Sequence, residues 1–220
     1  MKYLLNPDNY DWTDPGSIPS LILKHFYLVG ITMLIALAIA IPLGILAARY
    51  RQFYLPILTI TDILYTIPSI AFIGILIPIT HLSSSTILIP LILYTQLVLI
   101  RNIVTGINSI DPHLLEVGRA MGMTPLQSFM RITFPLALPT VVAGIRITTV
   151  TTIGIATLAS LCGQSGLGDL IFPSLAVFDF NAVTAGAILL GLFAVLADLL
   201  LLGLQRLLNR GRGDALSIAK

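Results

Sequence analysis

The sequence predicts an all-α membrane protein with about five transmembrane helices, its N-terminus outside the cell and its C-terminus in the cytoplasm. Of the 220 residues, 56% are hydrophobic and only 10% are charged, whereas soluble domains carry about 25% charged residues. The mean hydropathy of +0.97 points the same way. Because a soluble fold could not bury so much apolar surface, the chain is expected to lie in a membrane.

Five apolar runs are each long enough to cross the hydrocarbon layer, which takes about 20 residues of helix. They cover residues 21–48, 54–79, 86–107, 134–161 and 182–208. Two of them contain helix-breaking residues. We expect breaks in the second run at Pro68 and Pro78, and in the fourth at the glycine- and threonine-containing residues 148–157.

The distribution of Lys and Arg predicts the orientation through the positive-inside rule. Lys2 and Lys24 fall on one side, and Arg146 lies within the fourth run. The other basic residues all fall on the opposite, cytoplasmic side: Arg49, Arg51, Arg101, Arg119, Arg131, Arg206, Arg210, Arg212 and Lys220. The predicted organisation is an external segment (1–20), a transmembrane domain (21–208) and a cytoplasmic tail (209–220).

Composition argues against several classes of function. The single cysteine, Cys162, and three widely separated histidines show no metal-ligand spacing. The chain has no glycine-rich phosphate loop, so we expect it to bind no ATP and no other cofactor. Its net charge of +2 is too small to indicate a nucleic-acid partner.

The longest polar stretch between two apolar runs is residues 109–139. Asp111 is typical of a helix N-cap, and Gly122 of a left-handed C-terminal stop. Thr124 then caps a second helix, with Pro125 at its first position. Local chemistry therefore predicts a short helix, a glycine turn and a second short helix that continues into apolar sequence. An ordinary amphipathic loop on the membrane surface is the alternative.

The ionisable residues Asp62, Arg146 and Asp198 lie inside apolar runs. Such groups are costly in a membrane and usually face protein or water. We expect an interhelical ion pair of Arg146 with either Asp62 or Asp198. A polar substrate path is the other interpretation.

Hydroxyl, phenol and amide groups cluster in the second, third and fourth runs. They can line a translocation path, or they can serve helix packing through interhelical hydrogen bonds. The candidate path residues are Asp62, Tyr65, Pro68, Ser69, Tyr94, Gln96, Thr149 and Thr152. On the opposite side, residues 162–180 are expected to form either a re-entrant segment or a flexible external loop.

The central stretch resembles the EAA loop of ABC importer permeases. The resemblance lies in Glu-Val-Gly-Arg-Ala-Met-Gly at residues 116–122, Ile132, and Pro-Leu-Ala-Leu-Pro at residues 135–139. Val117 and Gly118 stand where that family has two alanines. In the family this loop is a coupling helix that docks on a cytoplasmic ATPase. The residues that the resemblance assigns to coupling, within a segment at 109–133, are Glu116, Gly118, Arg119, Ala120, Gly122, Thr124, Pro125, Pro135 and Pro139.

Other motifs resemble the osmoprotectant branch of these permeases, which imports glycine betaine, carnitine or choline. They include Thr-Ile-Pro-Ser at residues 66–69, Leu-Ile-Arg-Asn at 99–102 and Gly-Leu-Gly-Asp-Leu at 166–170. Methionine-type permeases share the five-span core and are the second choice. Cys162 and Tyr65 depart from the pattern of the branch.

The resemblance implies a non-catalytic transport subunit in a prokaryotic cell membrane. Its expected partners are a cytoplasmic ABC ATPase dimer that holds ATP-Mg, a second permease subunit, identical or paralogous, an extracytoplasmic binding protein or lipoprotein, and membrane lipid. Quaternary ammonium groups are usually held by aromatic cages, and the cage is expected on the binding protein. Two alternatives are an ion-driven secondary carrier that uses Asp62 and Asp198, and a membrane scaffold that does not transport.

Overall fold

The computed structural model describes the backbone of residues 2–217 and the side chains of residues 3–208. Within that part of the chain the regular structure is helical throughout. The α-helices are α1 (Lys2–Leu5), α2 (Ile18–Arg49), α3 (Arg51–Thr66), α4 (Ser69–Thr80), α5 (Ser84–Asn108), α6 (Pro112–Ala120), α7 (Pro125–Ser128), α8 (Phe134–Ala156), α9 (Phe172–Ala176) and α10 (Phe180–Ser217). Short 3-10 turns cover Pro7–Tyr10, Thr157–Cys162 and Leu167–Leu170, and a π turn covers Phe129–Thr133.

Four helical stretches are long and apolar enough to cross a membrane: Ile18–Arg49, Ser84–Asn108, Pro125–Cys162 and Phe180–Leu208. The fifth candidate is the pair α3 and α4, whose axes are bent by 93°. The prediction of an all-α protein with about five spans is confirmed. Its orientation across the membrane stays a prediction.

Only one of the predicted breaks occurs where the sequence placed it. Pro68 separates α3 from α4 because it has no N–H to continue the helix. The prediction was wrong for Pro78, which α4 contains two residues before its end. It was also wrong for residues 148–157, because α8 continues to Ala156 before a 3-10 turn begins.

The threonine run stays helical because its hydroxyls bond within their own helix. Thr149 donates to the Ile145 carbonyl at 2.7 Å and Thr152 to the Thr148 carbonyl at 2.7 Å. These bonds satisfy the hydroxyls locally, so they need no break in the backbone.

Helix α5 lies at the centre of the bundle and packs against α2, α3, α4 and α8. Its most apolar window is 61% buried, compared with 39% for α2 and 0% for α10. The last helix therefore presents its apolar surface outward, to lipid or to another subunit. Alanines of α2, among them Ala36 and Ala40, are fully buried and allow close approach of the helices.

Two glycines allow α5 to approach its neighbours. A Cβ added to Gly44 of α2 would lie 2.6 Å from the Ile103 side chain, and one added to Gly144 of α8 would lie 2.5 Å from Asn102 Cβ. Ile103 and Asn102 both belong to α5. Small residues at these two contacts therefore set the spacing of α2, α5 and α8.

We expect Gly144→Ala to destabilise the protein, because the added methyl group overlaps Asn102. Overpacking of this kind costs roughly 1–3 kcal/mol in the free energy of unfolding. Gly154→Ala in the same helix is the matched control, since nothing lies within 4 Å of its added Cβ. Thermal unfolding in detergent should show a lower midpoint for Gly144→Ala and an unchanged or higher one for Gly154→Ala. Equal midpoints for the two variants would contradict the packing argument.

Candidate coupling segment and translocation path

The first half of the central segment is a short helix with defined ends. The Asp111 carboxylate accepts the His113 backbone N–H at 2.9 Å and caps α6. At the other end Gly122 is left-handed, with φ of 78°. Its N–H bonds to the Arg119 carbonyl at 2.9 Å, and the N–H of Met123 bonds to the Gly118 carbonyl at 3.1 Å. These two bonds form a Schellman motif, which fixes the direction in which the chain leaves the helix.

The second half starts with a capping box and leads into a span without a break. Thr124 Oγ1 accepts the Gln127 N–H at 3.3 Å, and the Gln127 side chain accepts the Thr124 N–H at 2.9 Å. The π turn Phe129–Thr133 then joins α7 directly to α8. A displacement of this segment is therefore transmitted through continuous helix.

The two halves pack closely at Gly118, the buried glycine of α6. A Cβ at this position would lie 2.8 Å from Ile132 Cδ1 in the π turn. The departure from the alanine of the family pattern therefore has a local reason, because glycine leaves room for Ile132.

One face of α6 carries an exposed apolar stripe. Leu114, Val117 and Met121 recur at helical spacing and are 46%, 56% and 73% exposed. They border an apolar groove of about 870 Å³ that also includes Pro135 and Leu208. Apolar surface of this kind is available for contact with lipid or with another protein.

Most of the residues that the resemblance assigned to coupling lie on the surface of the structure. Glu116 is exposed, and its carboxylate lies 3.5 Å from His113 Nδ1. Pro139 is buried inside α8, away from this surface. The remaining assigned residues that are exposed are Arg119, Ala120, Gly122, Thr124, Pro125 and Pro135.

Arg146 pairs with Asp198 and not with Asp62. Its Nε and Nη2 donate to the two carboxylate oxygens of Asp198 at 2.7 and 3.1 Å, and its Nη1 donates to Gln205 at 3.0 Å. Bidentate geometry makes this a strong contact between α8 and α10. The side chains of Arg146 and Asp198 are 26% and 35% exposed.

Asp62 instead pairs with Arg101. The positive-inside rule placed Arg101 on the cytoplasmic side, and no role was predicted for it. Arg101 Nη2 lies 2.7 Å from Asp62 Oδ1, because α3 packs against α5. One signal was available: Arg101 lies seven residues before the end of α5 at Asn108, well inside that helix. Gln205 was missed, although it lies about two helical turns after Asp198 and therefore on the same face of the helix.

The candidate path residues do not come together as an open channel within this chain. Tyr94 and Thr152 are 5% and 1% exposed. Together with Tyr65 they border a void of only about 10 Å³, roughly the space of a single water molecule. Thr149 and Thr152 bond to their own helix, so the packing interpretation describes both of them better.

Tyr94 supports the bent corner between α3 and α4. Its hydroxyl donates to the carbonyl of Ile67, the residue between the end of α3 and Pro68. Tyr65 and Phe72 each pack edge-to-face on Tyr94, with ring centroids 5.9 Å away. Ser69, in the first turn of α4, is half-buried.

Gln96 serves helix packing between α5 and α2. The side chain is 4% exposed, and its Nε2 donates to the Ala36 carbonyl at 3.3 Å and to the Ile92 carbonyl at 3.1 Å. Within the described chain the Oε1 of Gln96 is buried without a hydrogen-bond partner.

The first part of the segment at residues 162–180 is packed against the bundle and is not a free loop, whereas residues 175–180 are exposed. Leu167 and Leu170 are buried in a cluster with Ile18 and Leu21 of α2. A Cβ at Gly168 would lie 2.0 Å from the Thr157 carbonyl oxygen, so only glycine fits there.

A polar contact with the bundle adds to this packing. Gln164 Oε1 accepts a hydrogen bond from Ser84 at 2.8 Å, which ties the segment to the start of α5. Burial raises the pKa of the Asp169 carboxyl above its usual value, against the opposing effect of hydrogen bonds from Gly166 and Ser165.

The apolar helices define a multi-pass membrane protein, and comparison with known proteins gives its family. Residues 40–213 match the family described as the binding-protein-dependent transport system inner membrane component. The chain belongs to this family, which confirms the resemblance drawn from the central motif.

Curated relatives extend over nearly the whole chain. The chain is 37% identical over 210 residues to the glycine betaine/carnitine/choline transport system permease protein OpuCD of Bacillus subtilis (strain 168), covering 95% of this chain and 92% of the relative. It is 36% identical to the osmoprotectant import permease protein OsmW of Salmonella typhimurium, covering 91% and 96%. The carnitine transport permease protein OpuCD of Listeria monocytogenes is 39% identical, covering 84% of each chain.

Solved structures share the fold. The inward-facing MetNI methionine ABC transporter in its CY5 native crystal form superposes with a TM-score of 0.74, covering 86% of this chain and 94% of that chain. The sequence identity of 22% is low, so this likeness supports the architecture alone.

The pairing of Arg146 can be tested by exchanging charges. We expect Arg146→Asp and Asp198→Arg each to lower the thermal midpoint in detergent and the yield of membrane-inserted protein, because each leaves like charges facing one another. The double exchange should recover most of both losses. Combining Arg146→Asp with Asp62→Arg should recover neither, and recovery there would contradict the observed pairing.

Proposed function

We propose that this chain is the permease subunit of a binding-protein-dependent ABC importer for quaternary ammonium osmoprotectants such as glycine betaine, carnitine or choline. The observation that carries the proposal is the near-full-length similarity to permeases named for these solutes. The exposed, rigidly capped segment on one end of the helical bundle is what such a subunit requires.

The choice of solute rests on sequence relatives and not on the fold. Relatives named for carnitine, choline or glycine betaine transport are 32–39% identical to this chain. The methionine transporter shares the architecture at 22% identity. A methionine-type substrate is therefore the second choice.

We assign the chemistry of ATP to a separate ATPase dimer and no catalytic role to this chain. Relatives are named as permease proteins of transport systems, which supports a division of labour between subunits. The remaining proposed partners are a second permease subunit, identical or paralogous, and an extracytoplasmic binding protein that carries the aromatic cage for the solute.

Coupling is proposed to run through residues 109–133. The apolar stripe of Leu114, Val117 and Met121, next to the Glu116 carboxylate, suits a helix that docks in a groove of the ATPase. Because the Schellman motif and the capping box stiffen both halves of the segment, movement of α6 reaches α8 through the π turn. The subunit would then act as a gate whose two states differ in affinity for its partners.

The translocation path is proposed to lie between two permease subunits. Within the described chain, Tyr65, Tyr94 and Thr152 border a void of about 10 Å³, which is too small for a solute path. The face of α3 presents Leu55, Ile60 and Ile63, which are 70%, 60% and 60% exposed. A second subunit that packs near this face would complete a path that Tyr65, Pro68 and Ser69 could line.

The ion-driven carrier is the less favoured alternative. Its two candidate carboxylates, Asp62 and Asp198, each accept two hydrogen bonds from an arginine. Such bidentate pairing supports a structural role for both carboxylates, as ties between neighbouring helices.

Two substitutions test the coupling role. We expect Glu116→Lys to abolish uptake by reversing the charge on the docking face, and Gly122→Asp to abolish it by placing a charged side chain at a left-handed turn. Asp8→Lys in the external segment is the control for a change of the same charge, and Gly122→Asn, which tolerates a left-handed backbone, should retain most uptake. Membrane insertion should be normal in all four variants, and copurification of the ATPase should fall in the first two. Normal uptake by both coupling variants would contradict the proposal.

The solute can be identified by uptake assays with the chain expressed together with its ATPase, companion permease and binding protein. We expect ATP-dependent uptake of at least one of radiolabelled glycine betaine, carnitine and choline, and no uptake of methionine. Collapse of the ion gradient at constant ATP should leave uptake intact. Uptake of methionine alone would overturn the choice of solute, and loss of uptake with the gradient would favour the secondary carrier.

A further inference from the structure

A second cavity lies on the other face of α6, away from the apolar stripe. Its volume is about 400 Å³. It lies between the end of α2, the end of α5 and the central segment with its π turn. The lining residues that matter here are Ile45, Arg49, Ile107, Arg119, Ser128 and Thr133.

Positive charge is concentrated in this cavity. Arg49 and Arg119 both line it, and the lining contains no acidic residue. Among the described residues neither guanidinium forms a side-chain hydrogen bond or an ion pair, whereas Arg101 and Arg146 are both paired. The Arg49 guanidinium lies over the Tyr50 ring, 5.8 Å from its centroid, and this contact leaves its N–H groups free to donate.

The two guanidinium groups are accompanied by hydroxyls and by apolar side chains. The hydroxyls of Ser128 and Thr133 also form no hydrogen bond with any described residue. Ile45 and Ile107 supply apolar surface on the side of the spans. The cavity thus has unpaired hydrogen-bond donors on one wall and apolar side chains on another.

The position of the cavity indicates the source of its ligand. Arg49 is the last residue of α2, the first span, so its side chain lies where a span leaves the hydrocarbon and the lipid headgroups begin. Basic pockets between spans on the cytoplasmic side bind anionic headgroups. Guanidinium groups match phosphate oxygens through paired N–H donors.

We propose that this cavity binds the phosphate of an anionic phospholipid headgroup, with Arg49 and Arg119 donating to its oxygens. The hydroxyls of Ser128 and Thr133 complete the polar side, and Ile45 and Ile107 contact the glycerol and first acyl carbons. A bound lipid connects the end of the first span to α6. This inference does not depend on the identity of the transported solute.

The test is a lipid titration of the detergent-purified protein, with any subunits that copurify, followed by native mass spectrometry. Phosphatidylglycerol is the probe, and phosphatidylcholine with the same acyl chains is the zwitterionic comparison. We expect Arg49→Gln and Arg119→Gln each to weaken phosphatidylglycerol binding at least about tenfold, the loss expected for a hydrogen bond to a charged group. Phosphatidylcholine should bind more weakly than phosphatidylglycerol to the unaltered protein and respond little to either change.

Arg51→Gln is the matched control. Arg51 starts α3, two residues after Arg49, carries the same charge at the same end of the bundle, and does not line the cavity. Its loss should change phosphatidylglycerol binding less than about fivefold, the effect of one basic residue near an anionic surface. If the three arginine variants weaken binding equally, lipid is attracted to the basic surface as a whole and the proposed site is wrong.

Two further experiments ask what the site recognises. The first separates recognition by a guanidinium group from attraction by positive charge alone, and the second separates a lipid from soluble phosphate. Arg49→Lys and Arg119→Lys keep the charge but lose the paired donors, and we expect binding between that of the unaltered protein and that of the glutamine variants. Excess inorganic phosphate should fail to displace the lipid. Displacement by phosphate would show that the cavity binds soluble phosphate and would overturn the proposed lipid site. Thermal midpoints close to that of the unaltered protein would show that the variants are folded, as expected for side chains that form no internal hydrogen bond or ion pair.

Discussion

The close packing of α5 against its neighbours is the constraint on which the rest of the structure depends. Gly44 of α2 leaves room for Ile103 of α5, and Gly144 of α8 leaves room for Asn102 of α5. Polar contacts add to this packing: Arg101 holds α3 through Asp62, and the Tyr94 hydroxyl holds the corner between α3 and α4. One central helix thus fixes the positions of four others. Apolar contact alone would specify these positions poorly, because lipid tails are as apolar as the side chains.

The outer helix α10 is held in a different way. Its most apolar window is 0% buried, so few of its side chains are enclosed by the rest of the bundle. The bidentate contact from Arg146 to Asp198 and the bond to Gln205 therefore fix its rotation and its depth relative to α8. Directional hydrogen bonds thus fix the orientation of a helix that packing alone would leave free to rotate.

Local features of the sequence predicted local features of the structure. Composition and span length were sufficient for the fold class, since a chain this apolar has few alternatives. Asp111, Gly122 and Thr124 occur where predicted because caps depend on residues close in sequence. The partner of Asp62 was not predicted: the position of Arg101 inside an apolar run marked it as a candidate, but the choice of partner depends on which helices touch. Gln96 and Thr152 were ambiguous for a related reason: a helix that is apolar on all sides does not show which face is inward.

The π turn Phe129–Thr133 sets the rotation of α8 relative to the central segment. Its closing bond runs from the N–H of Phe134 to the carbonyl of Phe129, five residues back. An α-helix advances about 100° per residue, so the extra residue in this turn rotates everything after it by roughly that angle. The angular setting of α8, and with it the inward direction of Gly144, Thr148 and Thr152, is therefore established at the membrane surface. A change in the number of residues within this one turn would reorient a whole span without altering any residue inside it.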